Sequence, residues 1–151
     1  MVNAGVSGDT TAGGLARIGW SLTDDIDAVI VELGGNDLLR ALPPADAQAN
    51  LDAILATISG RDMPILLAGL PGPPNLGADY KREFDAIFPA LSTKYAAILY
   101  PNFLKAVAKD KTFMEIAALF QPDGLHPNAV GVKAIVGDIG PYVLRLLAEV
   151  D

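Results

Sequence analysis

No cysteine occurs in the 151 residues, and histidine occurs once. The first absence rules out disulfides, a thiolate nucleophile and any zinc–sulfur site, and a single imidazole argues against a metal centre of the usual nitrogen-ligand kind. Cysteine-free proteins occur on both sides of membranes, so the compartment stays open between cytoplasmic and periplasmic or secreted. Basic residues are also scarce. Eleven Lys and Arg against eighteen Asp and Glu leave a net charge of −7, which argues against nucleic acid as a partner, because phosphate binding needs clustered cations. No apolar run reaches the roughly 18 residues that span a bilayer, and Met1 is not followed by a basic, then apolar, leader; any leader would lie upstream of it. The glycines of residues 5–14 make neither G-x-G-x-x-G nor a Walker loop, and no lysine follows them, which counts against a nucleotide site.

Half of the residues are hydrophobic, enough for one substantial core, and the chain reads as a single domain over 1–151. Met1–Val6 reads as the end of a strand. Leu15, Ile18 and Leu22 recur at helical spacing over 11–24. Ala28–Leu33 is a short apolar run ending in Gly34-Gly35, the pattern of a buried parallel strand. A helix is predicted over 45–58 with Leu51, Ile54, Leu55 and Ile58 on one stripe, then a strand over 64–68. Pro71–Gly77 can be neither helix nor strand. A third helix over 79–94 turns Phe84, Ile87, Phe88 and Leu91 inward, and a strand follows at 97–100. Short helical pieces fit 103–108 and 112–119. The last helix is expected from Pro127 to Glu149, with Val132, Ile135, Val136, Ile139, Val143 and Leu146 facing the core. Trp20 and Phe113 read as packing residues. Strands separated by helices of ten to sixteen residues mean an α/β fold with a mainly parallel sheet, in a flavodoxin-like three-layer α/β/α arrangement. In such sheets ligands sit beyond the carboxyl ends of the strands, where Ser7–Asp9, Gly34–Asp37 and Pro71–Gly77 fall.

Asp123-Gly124-Leu125-His126-Pro127-Asn128 holds the lone histidine three residues after a carboxylate. That spacing suits a general base whose tautomer is fixed by an acid. It equally suits a turn into a helix with Asp123 and His126 as caps and Pro127 at the first helical position. Gly5-Val6-Ser7-Gly8-Asp9 is one glycine short of the G-x-S-x-G nucleophile elbow, which makes Ser7 a candidate nucleophile on a sharp turn. Asp9 and Thr10 are placed to cap the helix that follows, and Asp37 to tie its own loop to backbone N–H groups.

Taken in order, Val2–Thr10, Val31–Asp37 and Asp123–Asn128 resemble three sequence blocks of the SGNH (GDSL-type) hydrolases, especially the bacterial arylesterases, thioesterases and lysophospholipases. The resemblance runs from Val2 to about Leu147. It implies an ester hydrolase working by Ser-His-Asp acyl transfer, with His126 as base, Asp123 as its orienter, and the Gly8 N–H and Asn36 amide as oxyanion donors. No cofactor and no metal are implied. The family's Gly-Asp-Ser block is not in this sequence; by the resemblance it would precede Met1 by about thirty residues, and Ser7 would be a neighbour of the oxyanion glycine, not the attacker. The alternative is a catalytically incomplete fragment that binds acyl ligands or a partner chain. Without the strand that carries that block, the sheet lacks its usual first strand, and its unpaired edges favour a homodimer through sheet edges or swapped elements. Leu38 after the Gly-Asn block, with Pro73, Asn75 and Leu76 of the proline-rich loop, would give an apolar rim suited to a small acyl ester or thioester.

Overall fold

The computed structural model describes residues 1–150. Three parallel strands, β1 (Val29–Glu32), β2 (Ile65–Ala68) and β3 (Ile98–Tyr100), lie in the order β1-β2-β3. Their register aligns Val31 with Leu67 and Leu67 with Leu99. Helices join them: α1 (Thr11–Ser21) before β1, then α2 (Gly35–Leu39) and α3 (Pro44–Ser59), α4 (Ala78–Lys94), and finally α5 (Lys105–Ala108), α6 (Phe113–Ala117) and α7 (Ala129–Leu147). This is the expected α/β class, with a small all-parallel sheet.

The alternation of side chains along a strand splits the core in two. Ile65 and Leu67 face the larger cluster, which holds Val31 of β1, Leu51, Ile54, Leu55 and Ile58 of α3, and Phe84, Ile87, Phe88 and Leu91 of α4. Leu66, Ala68, Ile98 and Tyr100 face the smaller cluster, closed by Leu146 with Ile139, Tyr142 and Val143 of α7. Every residue of β2 is therefore buried. The α3 and α4 stripes fall where the 3.6-residue period puts them. Asp79 in the first turn of α4 and Lys94 in its last complement the helix dipole.

Several expectations are corrected. Met1–Val6 forms no strand and is exposed; Asn3 accepts the Gly5 N–H within the segment, the Arg17 guanidinium donates to the Ala4 carbonyl, the Asp9 N–H donates to the Val6 carbonyl, and no neighbouring strand offers a ladder. Pro74–Leu76 inside the proline-rich loop makes a 3₁₀ turn. The last helix starts at Ala129 with Asn128 as its N-cap, so Pro127 is outside it. Of that helix, Ile135 and Leu146 are buried and Ile139 and Val143 partly so, but Val132 and Val136 stand open to solvent. The helix lies over β2 and β3 and against α5, so its side toward β1 has no layer beneath it, and Ile30 on β1 is exposed for the same reason. Trp20 and Phe113 do not pack; they are 80 % and 85 % exposed.

Candidate active site

The Asp123–His126 loop is a small structure of its own. Asp123 Oδ1 accepts the N–H of Leu125 at 2.9 Å and of His126 at 3.0 Å. Asp123 Oδ2 lies 2.8 Å from His126 Nδ1. With Nδ1–H donating to the carboxylate, Nε2 is the basic nitrogen, and no protein group among the described residues bonds to it. The backbone N–H of His126, its ring and the N–H of Leu125 together hold the Asp123 carboxyl down at about 2. It is an ionised partner at any neutral pH. Both side chains are open, His126 at 66 % and Asp123 at 43 %.

Asn128 braces this loop. Its Oδ1 caps α7 by accepting the N–H groups of Val130 and Gly131, and its Nδ2 donates to the carbonyls of Ala118 and Phe120. Gly131 is needed at this junction, because a Cβ there would run into the Leu119 carbonyl. The segment does turn into a helix, but the cap is Asn128 and not Asp123 or His126, and those two bond to each other.

The second cluster sits at the ends of β1 and α1. Gly8 has φ of +81°, which a residue with a Cβ resists. Its carbonyl accepts Arg40 at 2.9 Å, and its own N–H is left without a protein partner among the described residues. Asn36, on α2, donates one amide hydrogen to the Asp9 carbonyl at 2.9 Å; its other amide hydrogen remains for a ligand. Beneath them Asp37 is buried at 1 % exposure. It accepts the Thr11 N–H at 2.9 Å and the Thr11 hydroxyl at 2.6 Å, and Asn50 donates to the same hydroxyl at 3.1 Å. Thr10 caps α1 by accepting from Gly13, as its position predicted. Asp9 instead pairs with Arg17 at 2.6 Å.

Residues 1–134 match the GDSL-like lipase/acylhydrolase family. The chain belongs to that family. It is 35 % identical to esterase TesA of Pseudomonas aeruginosa over 97 % of its own length and 71 % of the esterase. It is 37 % identical to thioesterase 1/protease 1/lysophospholipase L1 of Escherichia coli over 99 % of its length and 65 % of that enzyme. The chain thus spans about two thirds of the length of these curated relatives. Among solved structures, AlinE4, an SGNH-hydrolase family esterase, superposes with a TM-score of 0.73 at 51 % identity, covering 97 % of this chain and 76 % of that one. A TesA crystal structure superposes with a TM-score of 0.84 at 34 % identity, covering 96 % and 78 %.

Within this acylhydrolase fold, Gly8 and Asn36 come together through Asp9, and Asp123 and His126 come together directly. No hydrogen bond joins the two pairs. Ser7 is exposed on the turn before Gly8, and its hydroxyl makes no hydrogen bond to His126. Leu38 turns partly inward against the larger core; Pro73 and Leu76 are half-buried and Asn75 is exposed in the proline-rich loop. Sequence reasoning passed over Arg40, Arg17, Thr11 and Asn50. Arg17 and Arg40 had one signal, as two of only eleven cations, each close behind a glycine-rich block.

Proposed function

We propose that this chain carries the base, the orienter and the oxyanion donors of an ester hydrolase acting by acyl transfer on small acyl esters or thioesters. His126 Nε2 takes the proton of the attacking serine hydroxyl, from Ser7 or from a Gly-Asp-Ser block outside this sequence, as that oxygen bonds the acyl carbon, and passes it to the leaving oxygen or sulfur as the bond from it to the acyl carbon breaks. Asp123 fixes the ring and stabilises the imidazolium. The Gly8 N–H and the Asn36 amide receive the oxyanion of the tetrahedral intermediate, where neutral donors in fixed positions stabilise developing charge. The observation that carries this reading is the 2.8 Å Asp123–His126 pair, held by backbone N–H groups with Nε2 left free. The relatives named above as esterases and a thioesterase support the reaction class.

A second reading is favoured by two observations: Ser7 has no hydrogen bond to His126, and β1 ends the sheet with an open edge. In it the chain holds an acyl ligand or pairs with a second copy along β1, without turnover of its own. Hydrolysis of p-nitrophenyl acetate by wild type, Ser7→Ala and His126→Ala separates the two. Loss of turnover in both variants makes Ser7 the nucleophile. A wild type no faster than His126→Ala supports the second reading, and light scattering then shows whether the chain is a dimer.

A further inference from the structure

Hydrogen bonds, not packing, place Gly8. Residues 1–8 are exposed, and nothing lies within 4 Å of where a Cβ on Gly8 would stand. The Asp9 N–H closes a turn onto the Val6 carbonyl at 3.2 Å. Gly8 is third in that turn, with the positive φ of +81° that a type II turn needs there. That bond lies within the turn. The one that reaches Gly8 from the rest of the fold runs from the Arg40 guanidinium to the Gly8 carbonyl, at 2.9 Å. The backbone N–H of Arg40 donates to the Asn36 carbonyl at 3.1 Å. One residue therefore holds Asn36 through its main chain and Gly8 through its side chain. We propose that Arg40 is a positioning residue for acyl transfer, fixing the Gly8 N–H relative to the Asn36 amide. The inference rests on the reading in which those two donors receive the oxyanion.

The side chain of Arg40 has little else to do. It is exposed and makes no ion pair among the described residues. The helix α2 ends on the Arg40 backbone N–H, which any residue but proline supplies. What the guanidinium adds is the span to a carbonyl 32 residues back. Its planar fork sends N–H groups in fixed directions, so it places an acceptor more narrowly than an ammonium does. The next carbonyl along, that of Asp9, takes the Asn36 amide, so two successive peptides are clipped to the α2 segment. Without Arg40, Asp9 stays pinned while Gly8 turns about its own φ and ψ, which glycine allows more than any other residue. An oxyanion donor acts from about 2.7–3.1 Å, and a misplacement of about 1 Å can cost about 10²-fold in rate.

The test compares wild type, Arg40→Ala and Arg40→Lys in hydrolysis of p-nitrophenyl acetate and in ¹⁵N relaxation of the Gly8 amide. Arg40→Ala should lower kcat about 10- to 100-fold while KM stays within about twofold, the split expected when an interaction made only in the transition state is lost. The melting temperature should not move. Arg40→Lys, which keeps a donor for the carbonyl but not the fork, should recover part of kcat. The Gly8 order parameter should fall from about 0.85 in wild type to below about 0.6 in Arg40→Ala, while the amides of α1 keep theirs. This second readout needs no turnover. Unchanged Gly8 order in Arg40→Ala overturns the proposal. So does a loss carried by KM, which would make Arg40 a substrate-binding residue, and so does a lower melting temperature with α1 loosened alongside Gly8, which would make it structural. A wild type no faster than His126→Ala, with Gly8 alone loosened in Arg40→Ala, removes the acyl-transfer reading and supports Arg40 as the tether that sets Gly8 against Asn36.

Discussion

The His126 loop and the Gly8–Asn36 floor are held by different kinds of bond. Around His126 the bonds to Asp123 span two or three residues of chain. Around Gly8 the bonds run from Arg40 to Gly8, from Asn36 to Asp9 and from Thr11 to Asp37, across 26 to 32 residues. The first arrangement is exposed and stands apart from the core. The second is partly sunk into the junction of α1, β1 and α2 and exists only when the chain has folded. A change in the loop should therefore act on chemistry alone, and one in the floor on chemistry and stability together.

The sharpest test of that difference is His126→Ala. If His126 is the base, as proposed, removing it should lower turnover of p-nitrophenyl acetate by about 10²–10⁴-fold, while the melting temperature stays within the small range of exposed substitutions. A large drop in Tm would show that the loop is not independent. Asn36→Ala comes next. With Asn36 as the proposed oxyanion donor, its loss should cost about 10²–10³ in turnover, and loss of its bond to the Asp9 carbonyl adds about 1 kcal/mol of destabilisation, so both readouts should move. An effect on turnover with no change in Tm would place Asn36 with the loop and not with the floor.

The loop was also the more legible half. Asp123 and His126 are three residues apart in a chain with one histidine, so their pairing can be read without knowing the fold. The same holds for α3 and α4, where four apolar residues at helical period each find the core. Reading failed where a residue's state depends on what lies across from it. Met1–Val6 has strand composition but no ladder to join. Val132 and Val136 have the period of a buried stripe, yet they stand open to solvent, while α7 packs on β2, β3 and α5. Arg40 reaches the Gly8 carbonyl from 32 residues away, and nothing in a local window announces such a contact. The five-residue α2 is too short to show a period, so the sequence predicts no helix at Asn36.

Asp37→Ala carries a smaller effect confined to the floor. It leaves the buried Thr11 N–H and hydroxyl without their acceptor, a cost of about 1–3 kcal/mol. For a domain of this size that is a fall in Tm of several degrees, measured by calorimetry. Asp37→Asn, which keeps one acceptor oxygen, should recover part of it. If Asp37→Ala melts with the wild type, the floor is not anchored through Thr11.

The smallest effect belongs to the loop and is read by pH. The Asp123 carboxyl is held at about 2, below its ordinary 3.8, first by the His126 N–H, then by the His126 ring, then by the Leu125 N–H. A lowered carboxylate stabilises the loop fully above the unfolded value near 3.8, and that contribution is lost as pH falls through about 2. The carboxyl ¹³C shift of Asp123 should therefore have its midpoint near 2 in wild type. In His126→Ala it should rise but stay below 3.8, because the largest cause, the backbone N–H of residue 126, survives the substitution. A wild-type midpoint at the ordinary value would mean that the two N–H groups do not bind the carboxylate in solution. The loop would then owe its shape to the rest of the fold, as the Gly8–Asn36 floor does.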